Sequence, residues 1–331
     1  MKLSIAMCTF NGEKYLREQL ASLAAQSRRP DELIVCDDGS TDDTTAIIEQ
    51  FKKGAPFPVS LQINSTNLGS TKNFEQAVRM CTGDLIFFCD QDDVWQPEKL
   101  QRLEEEFQNH KSSGLLFSDG DVVDGELQSL GRSVWELIRF GPAEQRQVRR
   151  GLAFDVLLDH NVATGAALGF RAEFRELMVP FPDDLTHDGA PVLHDWWAAL
   201  MVAAVADVSF IDERLFKYRQ HSGQQLGVLS ALETTAQTEE GVAAAASRRN
   251  EYDDEIHYLK TVRQRLTEVA KFDVNPQALA RLDAQLAHLE TRAQMPANRL
   301  RRAPAVLGEL LKRRYHLYSN GFSSAAKDLL T

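Results

Sequence analysis

The sequence predicts an α/β fold, Rossmann-like, in which a mostly parallel sheet carries helices on both faces and a helical C-terminal extension follows. Short apolar runs alternate with helical patterns over the first 120 residues, as they do where crossover helices join parallel strands. After residue 222 Ala, Glu, Arg and Leu dominate, and helical periodicity continues with few strand signals. These observations predict a domain at residues 1–222 and an extension at residues 223–331, with a mobile lead-in at residues 223–250.

Five strands and four helices are predicted in the first 120 residues. The strands are LSIAMCTF, ELIVCDD, PVSLQIN, DLIFFCD and GLLFSDG, and the helices span residues 13–27, 44–52, 72–80 and 97–110. Residues 121–222 hold a helix near 150–159, the glycine-broken run NVATGAALGF, the helix HDWWAALMVAAVA and two short strands, VSFIDE and RLFKYRQH. Ligands of such sheets bind at the carboxyl ends of strands, which makes TFNG, CDDGSTDD and CDQDD the candidate site segments.

The composition narrows the class of protein. A net charge of −11 argues against a nucleic-acid-binding protein, which would normally present a basic face. The four cysteines lie in or beside apolar runs without zinc spacing, so we expect reduced core thiols and a reducing compartment. The sequence shows no signal peptide and no apolar stretch of about 20 residues. We therefore expect a cytoplasmic protein, or one held peripherally on the inner face of the cell membrane.

The strongest local signal is CDQDDVW, which follows an apolar strand. Its carboxylates, Asp90, Asp92 and Asp93, repel one another unless a cation lies between them. A hard divalent ion such as Mg2+ or Mn2+ suits carboxylate ligands, and it can stabilise the charge on a departing nucleoside diphosphate. The alternative is an acidic turn that caps the helix beginning near Pro97.

Two further strand ends carry polar groups. In CDDGSTDDT the paired Asp37 and Asp38 end a strand, where a carboxylate can accept the imide N–H of a uracil or thymine ring. In CTFNGEKYL, Thr9 and Asn11 lie at another strand end. The alternatives are a helix cap for the first segment, which leaves the acidic pair unexplained, and a simple strand-to-helix turn for the second.

Taken together, IAMCTFNGEKYLREQLASLAAQS, CDDGSTDDT, NLGSTKNFEQA and GDLIFFCDQDDVWQPEKL resemble the family 2 glycosyltransferases with the GT-A fold, over about the first 105 residues. The resemblance implies a donor half at residues 1–120 and an acceptor half at residues 121–222. It implies that Thr9 and Asp38 contact the nucleoside base, while Asp90 and Asp92 bind the ribose and the metal-bound diphosphate. The full nucleotide-sugar set is Thr9, Asn11, Asp38, Asn67, Gly69, Asn73, Asp90 and Asp92.

The resemblance continues more loosely beyond residue 120. The segment ATGAALGFR is similar to the glycine-containing acceptor loop, with Thr164 and Gly165 as its functional positions. A buried strand with a bulge at Gly165 is the alternative. Trp196, in the LHDWW segment, is a further predicted acceptor contact.

Two polar residues complete the implied site. LHDWW is similar to the segment that supplies the catalytic base, here Asp195, although His194 stands where the family usually has glutamate. A helix cap is the alternative role for Asp195. In YRQH, His221 lies where the fold often has a histidine that contacts the metal or the diphosphate, and a structural histidine is the alternative.

The resemblance implies an inverting transfer in which Asp195 deprotonates the acceptor and Asp92, with His221, holds Mg2+ or Mn2+. DQDDVW, HDWW and YRQH resemble bacterial rhamnosyltransferase-like members that build O-antigen or capsule. This implies dTDP-L-rhamnose as the first donor, a UDP-sugar as the next, and a glycan or lipid-linked acceptor. The alternatives are an inert binding protein of the same fold and a sugar nucleotidyltransferase, whose glycine-rich phosphate loop with arginine is not found after the first strand.

The last 35 residues are basic in an otherwise acidic chain. Residues 297–331 hold seven Lys or Arg and two acids, interleaved with leucine and tyrosine. Such a segment could lie on an anionic membrane, where lipid-linked acceptors reside. The alternative is a solvated helix that packs on the catalytic domain.

Overall fold

A computed structural model describes residues 1–221, 244–296 and 298–330 of the chain, which divides into two compact units. The first unit comprises Met1–Asp183 and Leu193–Ala236, and the second comprises Asp184–Val192 and Gln237–Thr331. The boundary predicted after residue 222 and most of the predicted lead-in lie outside the described residues. No sequence pattern indicated that Asp184–Val192 would group with the C-terminal helices.

The elements predicted for the first 120 residues are all present, with ends that differ by at most three residues. The strands within the described residues are β1 Leu3–Thr9, β2 Glu32–Asp37, β3 Val59–Ile63, β4 Leu85–Cys89, β5 Val94–Trp95, β6 Ser113–Val123, β7 Ser129–Ser133, β8 Leu168–Arg171, β9 Thr186–His187, β10 Ala190–Pro191 and β11 Asp207–Arg219. The helices of the first unit are α1 Leu16–Ala24, α2 Thr44–Lys52, α3 Ser70–Met80, α4 Lys99–Asn109, α5 Val134–Leu137, α6 Pro142–Arg149, α7 Ala153–Asp159, α8 Arg175–Met178 and α9 His194–Ala203.

One sheet runs through the first unit in the order β3-β2-β1-β4-β8-β6-β11-β5, with β7 paired to β6. The first four strands in this order are parallel neighbours, and β6 and β11 form another parallel pair. The predicted mostly parallel sheet is therefore confirmed. β8 lies antiparallel between β4 and β6, so the fourth and fifth predicted strands are not adjacent. Periodicity cannot reveal this insertion, because it reports the local conformation of a segment and not its partner.

The two short strands predicted near the end of the domain are one strand, β11. Its pairing with β6 shifts register between Ile211 and Arg214 and again between Arg214 and Lys217. Such irregularities bend a strand without ending it. The charged residues at these shifts interrupt the apolar pattern, which explains why two strands were predicted.

The core follows the sheet. β1 and β4 are buried along their whole lengths, as expected of central parallel strands that are covered on both faces. All four cysteines are buried free thiols, as predicted. Helix α9 is buried from His194 to Val202, so it has no solvent-facing stripe and its first turn is held rigidly within the unit.

The second unit is helical, which confirms the predicted extension for the residues that are described. Its helices are α10 Ala244–Glu268, α11 Pro276–Ala293, α12 Arg299–Leu311, α13 Arg314–Tyr318 and α14 Phe322–Leu330, and β9 and β10 form a hairpin. Val306, Tyr315 and Ala325 make a small hydrophobic core among the last three helices. Of the helices that the structure describes, none is both long and apolar enough to cross a bilayer.

Candidate functional site

The carboxyl ends of β1, β2 and β4 lie side by side at one edge of the sheet. The register pairs Thr9 with Asp37 and Met7 with Cys89. Because neighbouring strands are about 4.8 Å apart, the loops that follow these strands begin close together. The structure thus gathers the three predicted segments at a single edge.

The Asp37 side chain forms hydrogen bonds within and beside the turn that follows β2. Its carboxylate accepts hydrogen bonds from Thr9 Oγ1 at 2.7 Å, Ser40 N at 2.8 Å and Ser40 Oγ at 2.6 Å. The Thr9 hydroxyl donates its proton to Asp37, so its oxygen can only accept from a ligand. Asp37 therefore orients Thr9 and shapes the turn.

Asp38 organises the segment after β3. Its Oδ1 accepts from Asn64 Nδ2 at 2.9 Å and from Leu68 N at 2.8 Å, and its Oδ2 accepts from Gly69 N at 2.9 Å. A carboxylate offers about four acceptor positions, so one position on Asp38 stays available to a ligand N–H. The helix-cap alternative does not describe Asp38, because its partners lie in a different loop.

The other residues predicted in this segment mainly shape it. Asn73 is buried, donates from Nδ2 to Cys36 O at 2.7 Å and accepts from Asn64 Nδ2 at 3.0 Å. Asn67 Oδ1 accepts from Gly69 N at 3.1 Å, and Gly69 has a φ of +81° that favours glycine. Asn73 thus joins β2 to the segment after β3, and its predicted contact with the donor stays a prediction.

Asn11 joins the loops that follow β1 and β2. It has a φ of +46°, its backbone N–H donates to Ser40 Oγ at 2.9 Å, and its Oδ1 accepts from Thr41 N at 2.9 Å. Asparagine tolerates this left-handed conformation better than most residues. The side chain therefore holds two strand-end loops together beside the candidate site.

Asp92 and His221 form the candidate metal site. Asp92 Oδ2 and His221 Nε2 are 2.9 Å apart, and both side chains are more than four-fifths buried. Neighbouring ligands of an octahedral ion at about 2.1 Å are about 3 Å apart, so this pair fits two positions of Mg2+ or Mn2+. Among the described ranges, no three His, Cys, Asp or Glu side chains form a complete metal cage. Phosphate oxygens and water are suitable further ligands for such an ion.

Two more carboxylates crowd the same loop. Burial, together with the charges of Asp92 and Asp195, raises the pKa of Asp90 to about 7. Burial also raises the pKa of Asp93 well above its usual range, with Asp92 and Asp90 adding to the effect. Asp93 Oδ1 accepts from Arg219 N at 3.1 Å. The loop thus concentrates negative charge that a cation would stabilise.

Asp195 lies at the start of α9 beside the acceptor loop. Its Oδ2 accepts from Gly165 N at 2.8 Å and its Oδ1 from Trp196 N at 2.7 Å. A Cβ added to Gly165 would lie 3.6 Å from Asp90 Oδ2 and 3.6 Å from Asp195 Cβ, which places both carboxyl groups around this glycine. The helix-cap alternative describes neither hydrogen bond of Asp195, because the N-cap of α9 is Leu193 and Gly165 lies in another segment.

Two of the predicted acceptor contacts, Trp196 and Thr164, have different surroundings. Trp196 is buried, and its Nε1 donates to Leu157 O at 2.6 Å. It is therefore a core residue that joins α9 to α7. Thr164 differs, because its Oγ1 is buried and has no hydrogen-bond partner among the described residues, and so could bind a ligand group.

Comparison with known proteins explains this arrangement. Residues 4–157 match the family model for Glycosyl transferase family 2. These residues belong to glycosyltransferase family 2. The curated relatives include an uncharacterized glycosyltransferase of Nostoc sp., which is 29% identical over 259 residues that cover 76% of this chain and 74% of the relative.

Staphylococcus aureus provides a second relative. The poly(ribitol-phosphate) beta-N-acetylglucosaminyltransferase TarS is 36% identical over 119 residues, which cover 35% of this chain and 20% of TarS. A crystal structure of TarS residues 1–349 with UDP-GlcNAc superposes with a TM-score of 0.59 at 18% identity, and covers 99% of this chain and 82% of that one. This similarity shows that the chain has the GT-A fold that the sequence predicted.

Arg219 is a residue of the candidate site that the sequence did not single out. It is almost fully buried, and its guanidinium donates to Asp92 O at 2.7 Å, to Gly125 O at 2.5 Å and to the Glu18 carboxylate. The guanidinium also lies 4.4 Å from the ring centroid of Tyr15. Arg219 was visible in YRQH, but a basic residue within a strand carries no signal of its own.

His194 is a buried neutral histidine. It stacks on Phe74 with ring centroids 3.7 Å apart and meets Phe88 edge-on at 4.9 Å. Neither ring nitrogen has a hydrogen-bond partner within the described part of the chain. Burial lowers the pKa of His194 to about 4, although the charge of Asp195 opposes the shift.

Acidification should destabilise the first unit through His194. Its folded pKa, about 4, lies below its unfolded value of about 6.5, so the unfolded state binds more protons between these pH values. Stability is complete above pH 6.5 and falls as the pH drops, by about 3 kcal/mol over the window. His194→Leu should remove this part of the pH dependence.

Tryptophan fluorescence during urea unfolding can measure the effect, because all four tryptophans lie in the first unit. His110→Leu is the matched control, since His110 is exposed. An equal pH dependence in the wild type and in His194→Leu would contradict the assignment.

Proposed function

We propose that the protein is a metal-dependent, inverting hexosyltransferase that moves a sugar from a nucleoside diphosphate to a glycan or lipid-linked acceptor in bacterial surface polysaccharide synthesis. The observation that carries the proposal is the set of groups at one sheet edge: Asp38, the Asp92–His221 pair, and Asp195 beside Gly165. They supply the base recognition, charge neutralisation and proton acceptor that the transfer requires.

The nucleoside in this proposal is a pyrimidine. The free acceptor position of Asp38 suits the imide N–H of uracil or thymine, and the Thr9 hydroxyl oxygen lies at the neighbouring strand end. Resemblance favours dTDP-L-rhamnose, whereas the name of the TarS relative and its bound UDP-GlcNAc favour a UDP-sugar. Both bases therefore belong in the first binding panel.

Asp92 and His221 hold Mg2+ or Mn2+ in this proposal. Mg2+ is usually bound by only a small number of protein ligands, and substrate phosphates and water complete its coordination. When bound, the ion neutralises charge that develops on the departing diphosphate.

Asp195 is the catalytic base in the proposed mechanism. The Gly165 and Trp196 N–H groups fix its carboxylate, and each oxygen keeps a further acceptor position. The acceptor hydroxyl attacks the anomeric carbon from the face opposite the diphosphate, and its proton passes to Asp195. Attack from that face inverts the configuration of the sugar.

Thermal unfolding with nucleoside diphosphates tests the donor site. We expect UDP or dTDP with Mn2+ to raise the melting temperature, because a ligand at 100 times its Kd adds about 2.7 kcal/mol to folding stability. Asp92→Asn should remove the metal-dependent part of the increase. Asp212→Asn is the control, because Asp212 is exposed on β11. If no nucleotide stabilises the wild-type protein, the proposal is contradicted. A separate assay can test the alternative: formation of pyrophosphate from a sugar phosphate and a nucleoside triphosphate would favour a nucleotidyltransferase.

The last three helices give the proposed enzyme a peripheral contact with the inner face of the cytoplasmic membrane. Leu311 and Phe322 are 85% and 71% exposed. The two acids of this segment are engaged inside the unit, since Glu309 bonds His288 at 2.8 Å and Asp328 pairs with Arg292 at 2.7 Å. Exposed apolar side chains among excess basic residues are typical of segments that bind anionic lipid.

Flotation with anionic and neutral liposomes tests this contact. We expect binding to anionic vesicles at low salt and release at high salt, because salt screens exposed charges. Leu311→Asp should weaken binding, whereas Leu130→Asp, at an exposed leucine of the first unit, should not. Absence of binding to anionic vesicles at low salt would rule the contact out.

A further inference from the structure

Lys99, the first residue of α4, is fully buried in the first unit. Lysine is almost never fully buried unless its charge is compensated. Replacing a buried ion pair by apolar residues of similar volume is often neutral or stabilising, so packing alone does not require a buried charge. The position of Lys99 beside the candidate site therefore calls for a functional explanation.

The ammonium of Lys99 has a defined set of contacts. Nζ donates a hydrogen bond to Ala166 O, and it lies 4.0 Å from the ring centroid of Trp95 and 4.7 Å from that of Phe216. Trp95 and Phe216 are directly paired between β5 and β11. The aromatic faces stabilise the cation, while the carbonyl fixes its direction.

The acidic groups near Lys99 stabilise its ammonium in the protein interior. Burial lowers the pKa of Lys99 to about 7, and the charges of Cys89, Asp93 and Asp90 oppose the shift. The ammonium thus offsets carboxylates that lie at the end of β4, without competing with the Asp92–His221 pair for a ligand.

The carbonyl that Lys99 holds belongs to the segment that orients Asp195. Gly165–Ala167 is a single 3-10 turn, closed by a hydrogen bond from Ala167 N to Thr164 O at 2.9 Å. Gly165 N donates to Asp195 Oδ2 at 2.8 Å from the same turn. A displacement of the Ala166 carbonyl would therefore move the N–H group that holds Asp195.

We propose that Lys99 is a positioning residue for Asp195, acting through the Gly165–Ala167 turn, an inference that rests on the proposed transferase function. The Lys99 side chain lies between the paired rings of Trp95 and Phe216 and the acceptor loop, and so fixes the position of that loop. Lys99 itself contacts neither substrate. Its effect is on the placement of the base relative to the donor.

Lys99→Met tests the proposal, because methionine keeps most of the volume and removes the charge and the donors. A crystal structure of the variant should show that the Gly165 N–Asp195 Oδ2 hydrogen bond of 2.8 Å is lost. The rate of UDP release from UDP-GlcNAc, or of dTDP release from dTDP-L-rhamnose, should fall about 100-fold, as expected when a reacting group is misplaced by about 1 Å. The Kd of Lys99→Met for UDP or dTDP with Mn2+ should equal that of the wild type. The control is Lys111→Met, at an exposed lysine, which should match the wild type in every measurement.

A double-mutant cycle separates positioning from a general structural role. If Lys99 acts through Asp195, Lys99→Met should add almost no further loss to an Asp195→Asn protein, because residues that act as a unit are not additive. Additive losses would overturn the proposal, as would a variant structure that retains the 2.8 Å bond. These results leave nucleotide binding by the wild type intact. A wild type that binds neither UDP nor dTDP with Mn2+ would instead overturn the transferase function, and this inference with it.

Discussion

Asp195→Asn should lower the rate of sugar transfer by a factor of about 10²–10⁴, the range that a general base contributes, while Mn2+-dependent binding of UDP or dTDP persists. The amide of asparagine cannot take the proton of the acceptor hydroxyl. Asparagine also has only one acceptor oxygen for the two N–H groups, of Gly165 and Trp196, that Asp195 binds. The variant should therefore lose some stability as well as activity.

Steady-state transfer kinetics together with calorimetric titration of UDP and Mn2+ can separate these effects. Asp212→Asn, the same change at an exposed position of β11, serves as the control for both measurements. Transfer at the wild-type rate by Asp195→Asn would show that another group is the base. Loss of nucleotide binding in parallel with activity would indicate a collapsed site instead of a missing base.

The sequence was most informative where strand ends carry the chemistry. Thr9, Asp38 and Asp90 could be placed together because each follows an apolar run, and parallel strands end at a common edge. Their register in the sheet agrees with that expectation. The cysteines could likewise be assigned to the core from the apolar runs around them.

Contacts between residues far apart in the chain could not be predicted from the sequence. Trp196 follows the proposed base in the sequence, yet the peptide carbonyl of Leu157 holds it in the core. Asn73 was expected near the donor, but its amide is occupied by Cys36 and Asn64. The antiparallel insertion of β8 has the same origin, because residues far apart in the chain determine strand order.

Lys99 and Arg219 are two buried cations whose roles also could not be predicted from the sequence. Lys99 and Arg219 read as ordinary basic residues, one at a helix start and one near a strand end. In the folded unit Lys99 donates a hydrogen bond to Ala166 O, and Arg219 donates one to Asp92 O. Only the tertiary structure shows that the negative loop after β4 is matched by buried positive charge.

Arg219→Met should lower the free energy of unfolding of the first unit by about 2–6 kcal/mol, because leaving a buried acceptor without its donor costs about 1–3 kcal/mol and two carbonyls are affected. The guanidinium donates hydrogen bonds to Asp92 O, Gly125 O and the Glu18 carboxylate. In the Met variant the two carbonyls would lose their donor. Because Asp92 is held through its own carbonyl, its side chain should also move relative to His221. We therefore expect weaker Mn2+ binding in the presence of UDP or dTDP.

Arg219→Lys should reproduce most of the loss, since an ammonium cannot match the planar fork that reaches three separate acceptors. Urea unfolding followed by tryptophan fluorescence measures stability, and electron paramagnetic resonance of Mn2+ measures metal affinity. Arg214→Lys and Arg214→Met are the matched controls, because Arg214 lies on the same strand, is half exposed and pairs with Asp121 at 2.8 Å. Its exposed pair should contribute at most about 1 kcal/mol. Wild-type stability and Mn2+ affinity in both Arg219 variants would show that the metal loop holds its shape without this residue.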